Sequence, residues 1–140
     1  MTNSLVYPDS NVLVYAFCEQ PNAEHKQKTS VMLITDLLKS GNLCLSNLTI
    51  CEFSYILKRL NESNDKIRDS INMLEPYVMN PNKNITQRLN EIMNTISYYK
   101  NSFDCYHLAF AETLNCGELI TFDKDFKLLK SISEIEITIF

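Results

Sequence analysis

The chain has only two glycines and four prolines among its 140 residues, and neither type clusters. That scarcity excludes a linker-rich or low-complexity architecture and points to a compact, helix-rich globule. No apolar run approaches the length that crosses a bilayer, so no membrane span is expected. No basic segment leads into an apolar one near Met1, so no secretion signal is expected. The five cysteines (Cys18, Cys44, Cys51, Cys105, Cys116) are odd in number and contain no Cys-x-x-Cys pair. They lie in apolar surroundings, which favours small buried hydrophobes in a reducing compartment over zinc or disulfides. The expected location is the cytoplasm. An excess of positive charge is missing too: the formal net charge is −4. This argues against a protein that coats nucleic acid through bulk charge, and leaves room for an enzyme whose acidic site approaches phosphate through a metal.

What the chain has is 45% hydrophobic residues, enough at this length for one well-cored domain spanning residues 1–140. Short apolar runs alternate with segments of helical periodicity. Strands are expected at residues 5–8, 43–45, 77–79, 119–122 and 136–140. Helices are expected at about residues 11–18, 23–39, 47–60, 64–74, 86–99, 103–115 and 124–130. Ser40-Gly41-Asn42 stops the second helix and Ser46 or Asn47 caps the third. This alternation predicts an α/β fold, a three-layer α/β/α sandwich around a mainly parallel sheet.

The most informative segment is Leu5-Val6-Tyr7-Pro8-Asp9-Ser10-Asn11-Val12-Leu13. An apolar run ends in Asp-x-Asn and a second begins at once, as where a buried parallel strand hands over to a helix. In open α/β sheets, ligands bind beyond the carboxyl ends of the strands, which puts Asp9 and Asn11 at the mouth of a site. Taken alone, the segment is better served by Asp9 or Ser10 capping the next helix.

Three more acids occupy comparable positions. Glu52 stands among apolar residues in Leu48-Thr49-Ile50-Cys51-Glu52-Phe53, where a charge is costly unless paired or bound to a metal. Asp104 opens a largely apolar helix, and Asp123 closes the strand Leu119-Ile120-Thr121-Phe122 on the same sheet edge as Asp9. Each has a plain alternative: Asp104 can favour the helix dipole, Asp123 can cap, and Glu52 can pair with a lysine or arginine. Four such acids on one side of one sheet exceed what capping explains. A cluster of carboxylates is tolerated where a hard divalent cation binds it, and Mg²⁺ or Mn²⁺ with oxygen ligands supports phosphodiester hydrolysis. His107 falls one turn after Asp104 and can approach the site, although a partly buried structural histidine is the better reading.

These segments, in this order, resemble the PIN-domain proteins, and within them the VapC-like toxin ribonucleases of bacterial and archaeal toxin–antitoxin pairs. Asp9-Ser10-Asn11 matches the family's opening Asp-x-Asn, the segment around Glu52 its third-helix acid, Asp104-Cys105-Tyr106-His107-Leu108-Ala109 its third-acid segment, and Thr121-Phe122-Asp123 its Thr-x-Asp closing motif. The resemblance covers nearly the whole chain. Pro8 departs from the apolar residue usual before the first acid. The resemblance implies that Asp9, Glu52, Asp104 and Asp123 are catalytic, with Asp9, Asp104 and Asp123 on the metal and Asn11 and Thr121 as supporting polar groups. It also implies Mg²⁺- or Mn²⁺-dependent cleavage of RNA, homodimerisation and neutralisation by a small antitoxin whose basic tail enters the acidic crevice.

Lys58-Arg59, Lys83 and Lys124/Lys127/Lys130 are candidates for RNA contacts, with solvated surface as the alternative. Ile34, Leu37, Leu38 and Tyr55, Ile56, Leu60 are more apolar residues than one core face needs, so an exposed interface patch is expected there. Competing functions are a PIN-like RNA-processing or DNA nuclease without an antitoxin, and a catalytically silent interaction module. A phosphate-accepting receiver domain lacks its mid-chain strand-end Asp and late strand Lys here.

Overall fold

The computed structural model describes residues 4–96 and 102–140. Strand β1 (Val6–Pro8) leads into α1 (Ser10–Phe17), followed by α2 (Glu24–Ser40), α3 (Asn47–Arg59), α4 (Asn64–Leu74), α5 (Ile85–Thr95), α6 (Ser102–Thr113), β2 (Glu118–Thr121) and β3 (Glu136–Ile139). The three strands form a parallel sheet in the order β1-β2-β3, with Tyr7 beside Leu119 and Leu119 beside Ile137. Strand alternation sends neighbouring residues to opposite faces. Tyr7, Leu119 and Ile137 enter one core with α5 and α6, while Ile120 enters the other with α1 to α4. The result is the three-layer α/β/α sandwich anticipated from the pattern. No described helix is long and apolar enough to cross a membrane.

Two expected strands are reduced to single bridges, Val6 with Leu43 and Leu45 with Val78. Pro8 supplies the reason for the first. The Val6 N–H donates to the Asn42 carbonyl and the Val6 carbonyl accepts from Cys44 N–H, and the next parallel rung would need an N–H from residue 8, which proline lacks. Both glycines have backbone reasons: Gly41 ends α2 at φ 73°, and a Cβ at Gly117 would lie 2.5 Å from Ser4 Oγ. The expected strand end at Phe122 stops at Thr121 because Phe122 N–H is taken by the Asn11 side chain. The short helix expected at 124–130 is a 3₁₀ segment, Lys124–Leu129. Of the helix expected at 86–99, residues 97–99 lie outside the described residues.

Three side-chain expectations are corrected. Cys51 is exposed, since it faces away from the buried stripe of α3, whereas Cys18, Cys44, Cys105 and Cys116 are buried; all five are free thiols. Ile34 belongs to the core with Leu37 and Leu38 packed against it, so the exposed apolar residues of α2 are Val31 and Met32 instead. On α3, Tyr55 and Leu60 are exposed as expected, while Ile56 is half-buried. On the far face Arg88 of α5 clasps α6 and the loop before β3. Its guanidinium donates to Glu112 Oε2 at 2.8 and 3.1 Å and to the Ile132 carbonyl at 2.9 Å.

Candidate active site

Asp9 follows β1 directly, and its N–H donates to the Ile120 carbonyl at 2.9 Å, which fixes it beside the carboxyl end of β2. Its two oxygens do different things. Oδ1 accepts from Ser10 N–H at 2.8 Å as the N-cap of α1. Oδ2 accepts from the Thr121 hydroxyl at 2.9 Å and from Asn11 Nδ2 at 3.3 Å. Thr121 Oγ1 also accepts from Asp123 N–H at 2.9 Å, and Asn11 Oδ1 accepts from Phe122 N–H at 3.3 Å. Capping and site geometry therefore coexist on one carboxylate. Asp9 is 6% exposed. Burial raises its pKa, against the lowering pull of His107 and of the Thr121 hydrogen bond, and the Glu52 charge adds to the rise.

Glu52 arrives from α3, in the opposite half of the sequence order from the helix that meets it. His107 Nε2 lies 2.6 Å from Glu52 Oε1 and 4.0 Å from Asp9 Oδ1. One ligand-capable atom from each of Asp9, Glu52 and His107 lies within 4.8 Å of the others. The other ring nitrogen, Nδ1, lies 2.6 Å from the Tyr7 hydroxyl. That hydroxyl also contacts Ser46 Oγ and Thr49 Oγ1, each at 2.7 Å. Tyr7, Ser46, Thr49 and His107 are all fully buried. Burial opposes a charge on His107, but the Glu52 hydrogen bond and the charges of Asp9, Glu52 and Asp104 leave its pKa raised. Burial pushes the Tyr7 hydroxyl well above its ordinary range, so it stays protonated.

Asp104 is 5% exposed in the first turn of α6, one turn before His107, close enough for its charge to act on the imidazole. Asp123 caps the 3₁₀ segment, its Oδ1 accepting from Asp125 N–H at 2.9 Å. Neither joins the tight group of Asp9, Glu52 and His107. Of the expected metal-binding trio, Asp9 alone belongs to this tight group, which it forms with Glu52 and His107. The donor chemistry fits a hard divalent cation: two carboxylates converge in a largely buried place. Among the described residues neither of them pairs with a lysine or arginine, and the alternative expected for Glu52 gives way to His107.

Tyr7 was not among the sequence candidates, although a hydroxyl inside an otherwise apolar strand was its visible signal. Lys26 was also missed. Its ammonium lies 5.5 Å from the Tyr15 ring centroid and 5.7 Å from that of Phe122, next to Asn11. Of the expected basic groups, Lys83, Lys124, Lys127 and Lys130 are exposed, Lys58 bonds Asn64, and Arg59 lies over Tyr55.

A protein-family model described as "PIN domain" matches residues 6–131. Three solved structures share the fold. VapBC2 from Rickettsia felis, bound to a DNA fragment from their promoter, is 15% identical with a TM-score of 0.70, covering 97% of this chain and 98% of that one. VapBC-1 from nontypeable Haemophilus influenzae is 21% identical with a TM-score of 0.66, covering 96% and 97%. VapBC-5 from Mycobacterium tuberculosis, a member of the VapBC family of toxin-antitoxin systems, is 14% identical with a TM-score of 0.61, covering 98% and 99%. No curated protein matches the chain significantly by sequence.

Proposed function

The chain belongs to the PIN-domain family, and from that premise we propose that it is a Mg²⁺- or Mn²⁺-dependent endoribonuclease. In this reading it is a single nuclease domain acting in the cytoplasm as the toxin of a toxin–antitoxin pair. The observation that carries the chemistry is the meeting of buried Asp9 with half-buried Glu52, from different elements, without a lysine or arginine partner among the described residues. Two carboxylates so placed repel each other, and a divalent cation relieves that repulsion.

Asp9, Asp104 and Asp123 would hold the metal, and Glu52, converging on Asp9, would reach it as well and complete the catalytic set. When bound, the cation supplies Lewis-acid polarisation of the phosphoryl oxygen, a nucleophilic hydroxide at neutral pH and charge stabilisation for the leaving oxygen. The chain's own residues orient and exclude. Thr121 and Asn11 lock the Oδ2 side of Asp9. Glu52 is the more open of the two acids, its side chain 26% exposed against 8% for Asp9, so its second oxygen is the one available to take a proton from entering water. Exposed Lys83, Lys124, Lys127 and Lys130 contact RNA phosphates.

The toxin–antitoxin family of the VapBC-5 relative supports a small antitoxin partner; a basic tail directed at Asp9 and Asp104 and a homodimer of this chain complete the reading. Exposed Val31, Met32, Tyr55 and Leu60 are the apolar surface available for those contacts.

Asp9→Asn keeps a good N-cap while removing the charge. It is expected to abolish Mg²⁺- or Mn²⁺-dependent RNA cleavage with an unchanged circular-dichroism spectrum. Cleavage by the variant at the wild-type rate would remove this site from the mechanism. Light scattering at micromolar concentration and co-purification with the product of the adjacent gene test the dimer and the antitoxin.

A further inference from the structure

His107 is bound from both sides. Its Nε2 meets Glu52 Oε1 at 2.6 Å and its Nδ1 meets the Tyr7 hydroxyl at 2.6 Å. A carboxylate oxygen accepts, so the proton between His107 and Glu52 belongs to Nε2, and that nitrogen has no lone pair left for a cation. The Tyr7 hydroxyl in turn rests on Ser46 and Thr49, and Ser46 Oγ accepts from Thr49 N–H at 3.0 Å as the N-cap of α3. Ser46, Thr49 and Glu52 succeed one another at three-residue steps, so the cap and the acid share one stripe of that helix. The network therefore grips α3 at two heights, at its cap through Tyr7 and at Glu52 through His107. Tyr7 stands two residues before Asp9, and His107 one turn after Asp104. One buried set of hydrogen bonds joins the three elements that carry Asp9, Glu52 and Asp104.

We infer that His107, braced by Tyr7, is a positioning residue that holds the Glu52 carboxylate toward Asp9 for the metal without ligating the metal itself. The inference rests on the metal-site reading above. A ring locked at both nitrogens and fully buried has one orientation, so Glu52 Oε1 has one place. Without the ring, a carboxylate with its side chain 26% exposed turns to solvent and away from Asp9.

The test pairs Mn²⁺ calorimetry with spectroscopy. His107→Leu is expected to weaken Mn²⁺ binding by about 10–100-fold. His107→Gln, whose amide can still donate to Glu52, is expected to recover most of that loss, a pattern that general core damage does not produce. Electron spin-echo measurements on Mn²⁺-loaded wild type, which need no variant to fold, are expected to show no directly coordinated imidazole nitrogen. Such a nitrogen signal would make His107 a ligand and overturn the inference while leaving the metal site standing. Wild-type affinity in a folded His107→Leu would also overturn it. Absence of Mn²⁺ binding by the wild type would instead bring down the metal reading, and this inference with it.

Discussion

Replacing Tyr7 with phenylalanine removes one oxygen from a place that water does not reach. The ring stays, still packed 5.5 Å from Phe110 centroid to centroid, so the cavity created is slight. Three contacts go: to His107 Nδ1 at 2.6 Å and to Ser46 and Thr49 at 2.7 Å. They are not lost equally. Ser46 and Thr49 remain 3.0 Å apart and bond each other, whereas Nδ1 of the fully buried His107 is left without a partner. An orphaned buried polar group costs about 1–3 kcal/mol, so Tyr7→Phe should destabilise the protein by about 2 kcal/mol. For a domain of this size that corresponds to a fall in Tm of about 6–8 °C. Urea titration of metal-free protein at pH 7, with the slope checked for constancy, measures the change directly. A loss below about 0.5 kcal/mol, the range of ordinary surface substitutions, would refute the claim that this hydroxyl braces the histidine.

Two further outcomes follow from other parts of the structure. Arg88→Met leaves Glu112, whose side chain is 1% exposed, without its guanidinium and should cost about 3–5 kcal/mol. Adding Glu112→Leu should restore much of that stability, and a double variant no better than the single one would show that the clasp is not the cause. His107 has a raised pKa in the folded state, so its stabilising contribution is full below its unfolded value of about 6.5 and is lost as pH rises through the folded value. Metal-free wild type should therefore lose stability relative to His107→Gln above about pH 6.5, and a wild-type advantage in urea stability that stays constant or grows across pH 6–9 would contradict that sign.

Much of the molecule was legible in the order of its residues because the signals involved are local. Apolar period and stop residues such as Gly41 placed the helices to within a few residues, since helix and cap chemistry depend on neighbours one turn apart. Asp9 with its Asn11, and Thr121 with its Asp123, were visible as strand-end motifs because a buried parallel strand must hand over to polar residues at its mouth. Pro8 stood in plain view, but its consequence did not. The missing N–H matters only because Cys44 lies on that side of the strand.

What only the tertiary structure decided is which distant groups meet. His107 and Glu52 are 55 residues apart, and Tyr7 and His107 are 100 apart. Their contacts depend on how α3 and α6 close over the end of β1, which no local period encodes. The layered packing also made Glu52 and His107 the close partners of Asp9, ahead of Asp104 and Asp123, which the sequence had ranked with it. A side chain's chemistry is written in its identity. Its partner depends on the burial that makes an unpaired polar group too costly to keep, and burial is a property of the assembled layers.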